Sequence, residues 1–262
     1  MIRIDCRGVS TESPASSEQV RAAADCFVKH GYAILDHVVP AEKIQALHRE
    51  FLERYDRFLR DEETEETKKV GPSRYMISLR LDRAFGDTQI FANPCVVAVV
   101  RAVLEDTAIL EAYGAVVSLP GAPAQPKHYD GPHLFGAEIS AMLPAHALTY
   151  ALPLIEMNDL HGSTALWPGS HRWRNNNDNS EGTAPIIPIG SCMLWDFRLR
   201  HSGTANKSPT PRPMVYCTYS RPWYKDPVNF RKKRKMRRVD FDPAVLETLP
   251  EDTRKLLAHA AT

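Results

Sequence analysis

The sequence predicts a mainly β protein, a sandwich or jelly-roll barrel flanked by N-terminal α-helices. From about residue 109 the chain breaks into short runs rich in β-branched and aromatic residues: ILEAYGAVVSL, HALTYALPLIEM, STALW, APIIPI, SCMLWDF and MVYCTYS. Clusters of Pro, Gly, Asn and Asp separate them, and many short strands at close spacing mark a two-layered or closed β architecture. Before residue 109 the apolar residues recur at helical spacing instead. No linker-like stretch divides the two halves. One domain over 1–262 is therefore expected, with a helical flank (about 1–108), a β core (about 109–225) and a basic tail (226–262).

SSEQVRAAADCFVKH (16–30) predicts the first helix. Ser16 and Gln19 stand at capping-box spacing, Val20, Ala24 and Phe27 share one face, and Gly31 stops the helix. YAILDHVV (32–39) is rich in β-branched and aromatic residues and predicts a strand. Pro40 opens a second helix, with Ile44, Leu47, Phe51, Leu52, Tyr55 and Phe58 as its core-facing stripe. DEETEETKK (61–69) reads as a solvated helix end or loop. Asn93-Pro94 caps and starts a helix through CVVAVVRAVL. NNNDNSEG (175–182) is expected to be a surface loop.

Composition excludes several classes. Lys and Arg total 33 against 32 Asp and Glu, and this near balance gives no electrostatic reason for an obligate nucleic-acid partner. No apolar run approaches the ~18 residues of a membrane span, and the first residues lack the apolar core of a secretory signal. A cytoplasmic location follows as the expectation. Five scattered cysteines, with no C-x-x-C, predict reduced thiols over a disulfide scaffold or zinc ribbon.

Chemistry is carried by AQPKHYDGPH (124–133) and SCMLWDFRLRHSGTANKSPTPRP (191–213). His128 and Asp130 stand two apart after a Pro/Gly-rich turn, a pair of little weight alone. With His201, on the edge of a later strand, they make two histidines and one carboxylate. That donor set covers one face of an octahedral ion and leaves three positions open, as in non-haem Fe(II) oxygenases. Arg212, eleven residues beyond His201, offers an always-charged planar fork suited to a carboxylate.

Four segments in order resemble the phytanoyl-CoA dioxygenase family of Fe(II)- and 2-oxoglutarate-dependent oxygenases: HGYAILDHVVPAEKIQAL, QPKHYD, HGSTALWPGSHRW and HSGTANKSPTPRP. The resemblance covers roughly residues 25–225 and implies a cupin-like double-stranded β-helix. It implies that His128, Asp130 and His201 ligate Fe(II), that Arg212 pairs with the distal carboxylate of 2-oxoglutarate, and that Gln125 lies near this co-substrate. O2 is the other co-substrate. Gly203 stands where members often carry a carboxylate-supporting serine, so a hydroxyl from Thr204 or Thr149 is expected to take its place. His161 replaces the usual asparagine of the N-G turn and has no assigned role. A carboxylate at 130 argues for oxygenation over halogenation, since the related halogenases carry a small residue there.

The expected reaction is oxidation of a C–H bond in a small organic substrate, a secondary-metabolite intermediate, with release of succinate and CO2. The competing readings are a non-catalytic metal-binding or sensing jelly roll and, more weakly, a zinc hydrolase. Arg212 favours the oxygenase, because a redox-silent site needs no carboxylate clamp. His171 is expected to be structural, and His133 and His146 to be satisfied polar or surface histidines. Tyr129 and Trp195 are expected to pack near the site. Substrate selection is expected from 74–85, from 131–136 and from the tail after Trp223. Within these, Arg74, Arg80 and Arg83 could meet an anionic group or simply be solvated. RKKRKMRR (231–238) reads most simply as a solvated face.

Overall fold

In the computed structural model, residues 2–131, 133–174, 180–230 and 235–259 are described. The architecture is a large mixed sheet, a small second sheet and a helical layer. The large sheet has eight strands: β1 (Arg3–Asp5), β2 (Tyr32–Asp36), β3 (Thr67–Gly71), β4 (Arg74–Ser78), β5 (Ile109–Ser118), β6 (Ala147–Pro153), β8 (Cys192–Asp196) and β10 (Arg212–Ser220). Their order is β1-β2-β8-β6-β10-β5-β4-β3. The small sheet pairs β7 (Thr164–Leu166) with β9 (His201–Gly203), and single bridges add His128 to its β9 edge and Thr183 to its β7 edge. Two facing sheets of this kind are the jelly-roll fold predicted from the strand-like runs.

Side-chain alternation divides the large sheet into two working faces. On β10, Val215, Cys217 and Tyr219 join the main core, while Arg212, Met214, Tyr216 and Thr218 face a cavity. On β8, Cys192 and Leu194 take the core face, whereas Met193 and Trp195 take the other. The core face is covered by α1 (Ser17–His30), α2 (Ala41–Arg54) and α4 (Pro94–Leu104); the short α3 (Thr88–Phe91) precedes α4. The N-terminal helices thus cover one face and leave the other to the site.

The caps fall where the sequence put them. Ser16 and Gln19 form a reciprocal capping box, and Gly31 takes the left-handed C-cap conformation at φ 83°. Asn93 Oδ1 accepts from Cys95 N at 3.0 Å at the start of α4. The buried face of α1 runs through Ala23, Cys26 and Phe27, one residue off the predicted stripe. Tyr55 and Phe58 are buried, but beyond the end of α2. Leu52 is exposed.

Other expectations are corrected. Four of the eight strands come from before residue 109, so that half supplies both sheet edges as well as helices. The charged run 61–69 ends inside β3, where Thr67, Lys68 and Lys69 pair with β4; local charge does not reveal an edge strand. The strand predicted over 32–39 ends at Asp36, because His37 turns to φ 56°. APIIPI contributes only the Met157–Ile187 bridge, two of its prolines having no N–H for a ladder. Cys6 and Cys95 are joined in a disulfide; they are 89 residues apart in sequence, and α1, which packs against both β1 and α4, brings their neighbourhoods together. Cys26, Cys192 and Cys217 are free and buried. Residues 175–179 of the predicted surface loop and 231–234 of the basic run lie outside the described residues. Beyond them, Lys235 and Arg237 are exposed, as a solvated face requires, whereas Met236 is buried and Arg238 pairs with the buried Glu111. No helix among the described residues is long and apolar enough to cross a membrane.

Candidate active site

A cavity of about 410 Å³ opens between the two sheets, and His128, Asp130, His201 and Arg212 all line it. The backbone sets the first three. His128 N donates to His201 O at 3.0 Å, and His201 N donates to His128 O at 2.9 Å. This two-way bridge lays the two rings side by side, with centroids 4.4 Å apart. Asp130 N donates to Phe197 O at 3.2 Å, which ties the turn after His128 to the end of β8.

The imidazoles are held in one tautomer. His128 Nδ1 lies 2.9 Å from Pro126 O, and His201 Nδ1 lies 3.0 Å from Leu199 O. A carbonyl can only accept, so each Nδ1 carries the proton and each Nε2 keeps its lone pair. Asp130 is oriented as firmly. Its Oδ2 accepts from Thr149 Oγ1 at 2.6 Å and from Trp195 Nε1 at 2.8 Å, while Oδ1 lies 3.5 Å from His201 Nε2.

Electrostatics follows from this arrangement. Burial pushes the Asp130 carboxyl up, but His201, Thr149 and His128 together outweigh it and hold Asp130 well below the usual carboxylate range. Burial pushes His201 down, and the Asp130 carboxylate overcomes it, leaving His201 above its ordinary value. His128 is pushed down, first by burial and then by His201.

Two nitrogens with free lone pairs and one anionic oxygen suit a divalent iron-type ion with open positions. Among the described residues, no three His, Cys, Asp or Glu side chains already stand as a ligand set. Asp130 Oδ1 and His201 Nε2 face each other at 3.5 Å. The donor chemistry fits.

Arg212 is 3 % exposed. Its Nη1 donates long bonds of 3.4 Å to His161 O and Ser163 O, and its Nε has no partner. Burial, and then the nearby Arg74, push this guanidinium down to about 9. Gln125 lines the cavity as a brace, its Nε2 donating to Val70 O at 2.6 Å and its Oε1 accepting from Gly203 N at 3.0 Å.

The two candidate hydroxyls are engaged elsewhere. Thr149 donates to Asp130. Thr204 Oγ1 accepts from Ser163 N at 2.6 Å and donates to Ser163 O at 3.1 Å. A Cβ on Gly203 would lie 2.6 Å from Gln125 Oε1 and 3.2 Å from Arg74 Cζ, so the space a serine would need is filled.

Of the other candidates, Tyr129 and Trp195 line the cavity, as does Arg74, whereas Arg80 and Arg83 do not. His133 lines a separate hollow of about 190 Å³. His146 is buried against Tyr224, and His171 is buried with Nε2 3.2 Å from Val28 O. From the tail, Asp226, Val228, Asn229 and Phe230 line the cavity, and Asn229 Nδ2 donates to Asp130 O at 3.4 Å. Sequence reasoning missed Trp195 as the donor that orients Asp130. The alternation of β8, which points Trp195 away from the core residues Cys192 and Leu194, was the available signal.

Comparisons with known proteins bear on the family and the fold. The family model described as phytanoyl-CoA dioxygenase (PhyH) matches residues 27–214. The chain is 28 % identical over 107 residues to Dioxygenase ALT11 of Alternaria alternata, covering 38 % of this chain and 34 % of that one. It is 23 % identical over 175 residues to Dioxygenase af480 of Aspergillus fumigatus, covering 64 % and 53 %. The chain thus spans about half or less of the length of these curated relatives. Among solved structures, EvdMO1 superposes with a TM-score of 0.62 at 18 % identity, over 78 % of this chain and 50 % of that one. SnoN, described as a non-heme alpha ketoglutarate dependent epimerase from nogalamycin biosynthesis, superposes with a TM-score of 0.59 at 16 % identity, over 84 % and 95 %. Both likenesses concern the fold.

Proposed function

The chain belongs to the phytanoyl-CoA dioxygenase family, and on that premise we propose that His128, Asp130 and His201 hold Fe(II) while Arg212 receives the distal carboxylate of 2-oxoglutarate. The reaction is oxidation of a C–H bond in a small organic substrate. Bound iron with 2-oxoglutarate and O2 supplies the oxidising power for that bond, giving succinate and CO2.

The observation that carries this reading is the gathering of two tautomer-fixed imidazoles, an ionised carboxylate and a buried arginine around one cavity. Each group has a task. The Nδ1 bonds to Pro126 and Leu199 aim Nε2 at the ion. Thr149 and Trp195 keep Asp130 anionic and fixed through Oδ2.

The remaining wall supports a medium-sized, mostly apolar substrate, a secondary-metabolite intermediate. Met76, Val116, Met214 and Phe230 supply apolar surface, with Asp226 and Asn229 as polar points. The description of SnoN as a biosynthetic enzyme agrees with that class.

The test is anaerobic addition of Fe(II) and 2-oxoglutarate, followed by admission of oxygen. A weak visible charge-transfer band and iron-dependent succinate are expected. Asp130→Ala should lose iron binding and turnover, and Arg212→Ala should lose succinate formation. Full 2-oxoglutarate turnover in Arg212→Ala would sink the clamp. Absence of both band and succinate in the wild type would move the protein to a non-catalytic metal-binding role.

A further inference from the structure

Tyr129 lines two cavities: the one described above and a second hollow of about 190 Å³. The rest of the second wall is His133, Ala137, Ser170, Trp173, Arg174 and Arg200. Among the described residues none in this wall is acidic, and two are arginines. Arg174 stands exposed at the rim with no ion-pair partner among the described residues. Arg198, behind the wall, is already matched by Asp196 at 2.7 Å. The positive field is felt inside: His133 is pushed below its ordinary value, first by burial and then by Arg198 and Arg200, with Asp196 opposing.

The neutral groups of the wall have open valences. Ser170 is 5 % exposed, and its Oγ accepts from Arg200 N at 2.8 Å, which leaves its O–H with no acceptor among the described residues. His133 Nδ1 is buried without a partner. Tyr129 holds the two sides together, with Arg200 Cζ 5.3 Å above its ring and the His133 ring 5.2 Å from it. Buried donors left unmet are costly. Water can meet a hydroxyl, but it does not answer the charge of Arg174; an anion answers both. The volume is below the roughly 300 Å³ of sites that hold a whole drug-sized ligand, so it suits one small group.

We propose that this hollow is a second anion-binding site, taking a phosphate or carboxylate group, with Arg174 and Arg200 as its cations and Ser170 and His133 as its neutral donors. The site goes beyond the function proposed above and needs no metal. The group it takes is a free ion or one end of an organic anion that passes Tyr129 into the main cavity. The chemistry recognised is the same in both cases, and the length of the ligand tells them apart.

The experiment is a phosphorus NMR titration of the metal-free full chain with inorganic phosphate, then with hexyl phosphate. Wild type should bind phosphate saturably. Arg174→Met should weaken it about three- to tenfold, the range of a charge-assisted contact that is partly exposed. Arg174→Glu should abolish it, and Ser170→Ala should weaken it. Because Arg174 is exposed, its variants fold. Arg212→Met should bind phosphate as wild type does, since Arg212 lines the other cavity. Absence of saturable binding in wild type overturns the proposal. So does binding that survives Arg174→Glu, or that is lost in Arg212→Met alone, which would place the ion in the main cavity. With the site established, a gain of about tenfold or more for hexyl phosphate, the effect of burying a few methylenes, assigns it to the end of an organic anion. Equal affinity for the two probes assigns it to a free ion.

Discussion

Trp195 Nε1 donates to Asp130 Oδ2 at 2.8 Å, across 65 residues of chain. Thr149 donates to the same oxygen. One carboxylate oxygen is thereby committed to the protein, and Oδ1 is the one left beside His201. The sheet makes this possible: Thr149 on β6 pairs directly with Trp195 on β8, so both donors reach Asp130 from neighbouring strands.

The first prediction concerns that pair of donors. Trp195→Phe keeps most of the packing and removes the N–H; Thr149→Val removes the hydroxyl. Each should weaken metal binding about ten- to hundredfold, as loss of a partner behind a ligand does. Equilibrium dialysis against Fe(II) or Co(II) measures it. Wild-type affinity in both variants would show that Asp130 needs neither donor.

The second concerns acid stability. His146 is 3 % exposed, its Nε2 has no partner, and its ring packs 4.5 Å from that of Tyr224. Burial pushes it down to about 4. Asp196 opposes that shift, while Arg198, His133 and Arg221 add to it. As pH falls from about 6.5 toward 4, the unfolded chain binds a proton here and the native chain does not. Stability from this residue is therefore full above the ordinary histidine value and falls with acid, by up to about 3 kcal/mol. Urea titrations of metal-free protein across that window should show a shallower acid slope for His146→Phe than for wild type. Parallel slopes would mean that His146 is accessible to protons in the native state.

The third concerns the disulfide between Cys6 and Cys95. It closes a loop of 89 residues that includes α1, α2 and β4. Reduction should destabilise the fold by about 2–4 kcal/mol, chiefly by freeing the unfolded chain. The cavity residues do not include either cysteine, so metal binding should survive. Alkylation of the unfolded, unreduced chain should label the three thiols of Cys26, Cys192 and Cys217. Five labelled thiols would mean that the pair is open.

Much of this protein was legible in the chain itself. The capping box at Ser16, the stop at Gly31 and the cap at Asn93 are local chemistry, decided within four residues. So are the alternating strands β6, β8 and β10. His128, Asp130, His201 and Arg212 were legible because their residue types and order match a family pattern. Tertiary structure decided the rest, since it depends on what lies across a sheet. β3 is a strand only because β4 pairs with it. Cys6 meets Cys95 only because α1 packs against both β1 and α4. Whether Arg74 was a solvated arginine or a buried one could not be read from RYMISLRLDRAF. Pairing β4 with β5 and β5 with β10 puts Arg74 in line with Arg212.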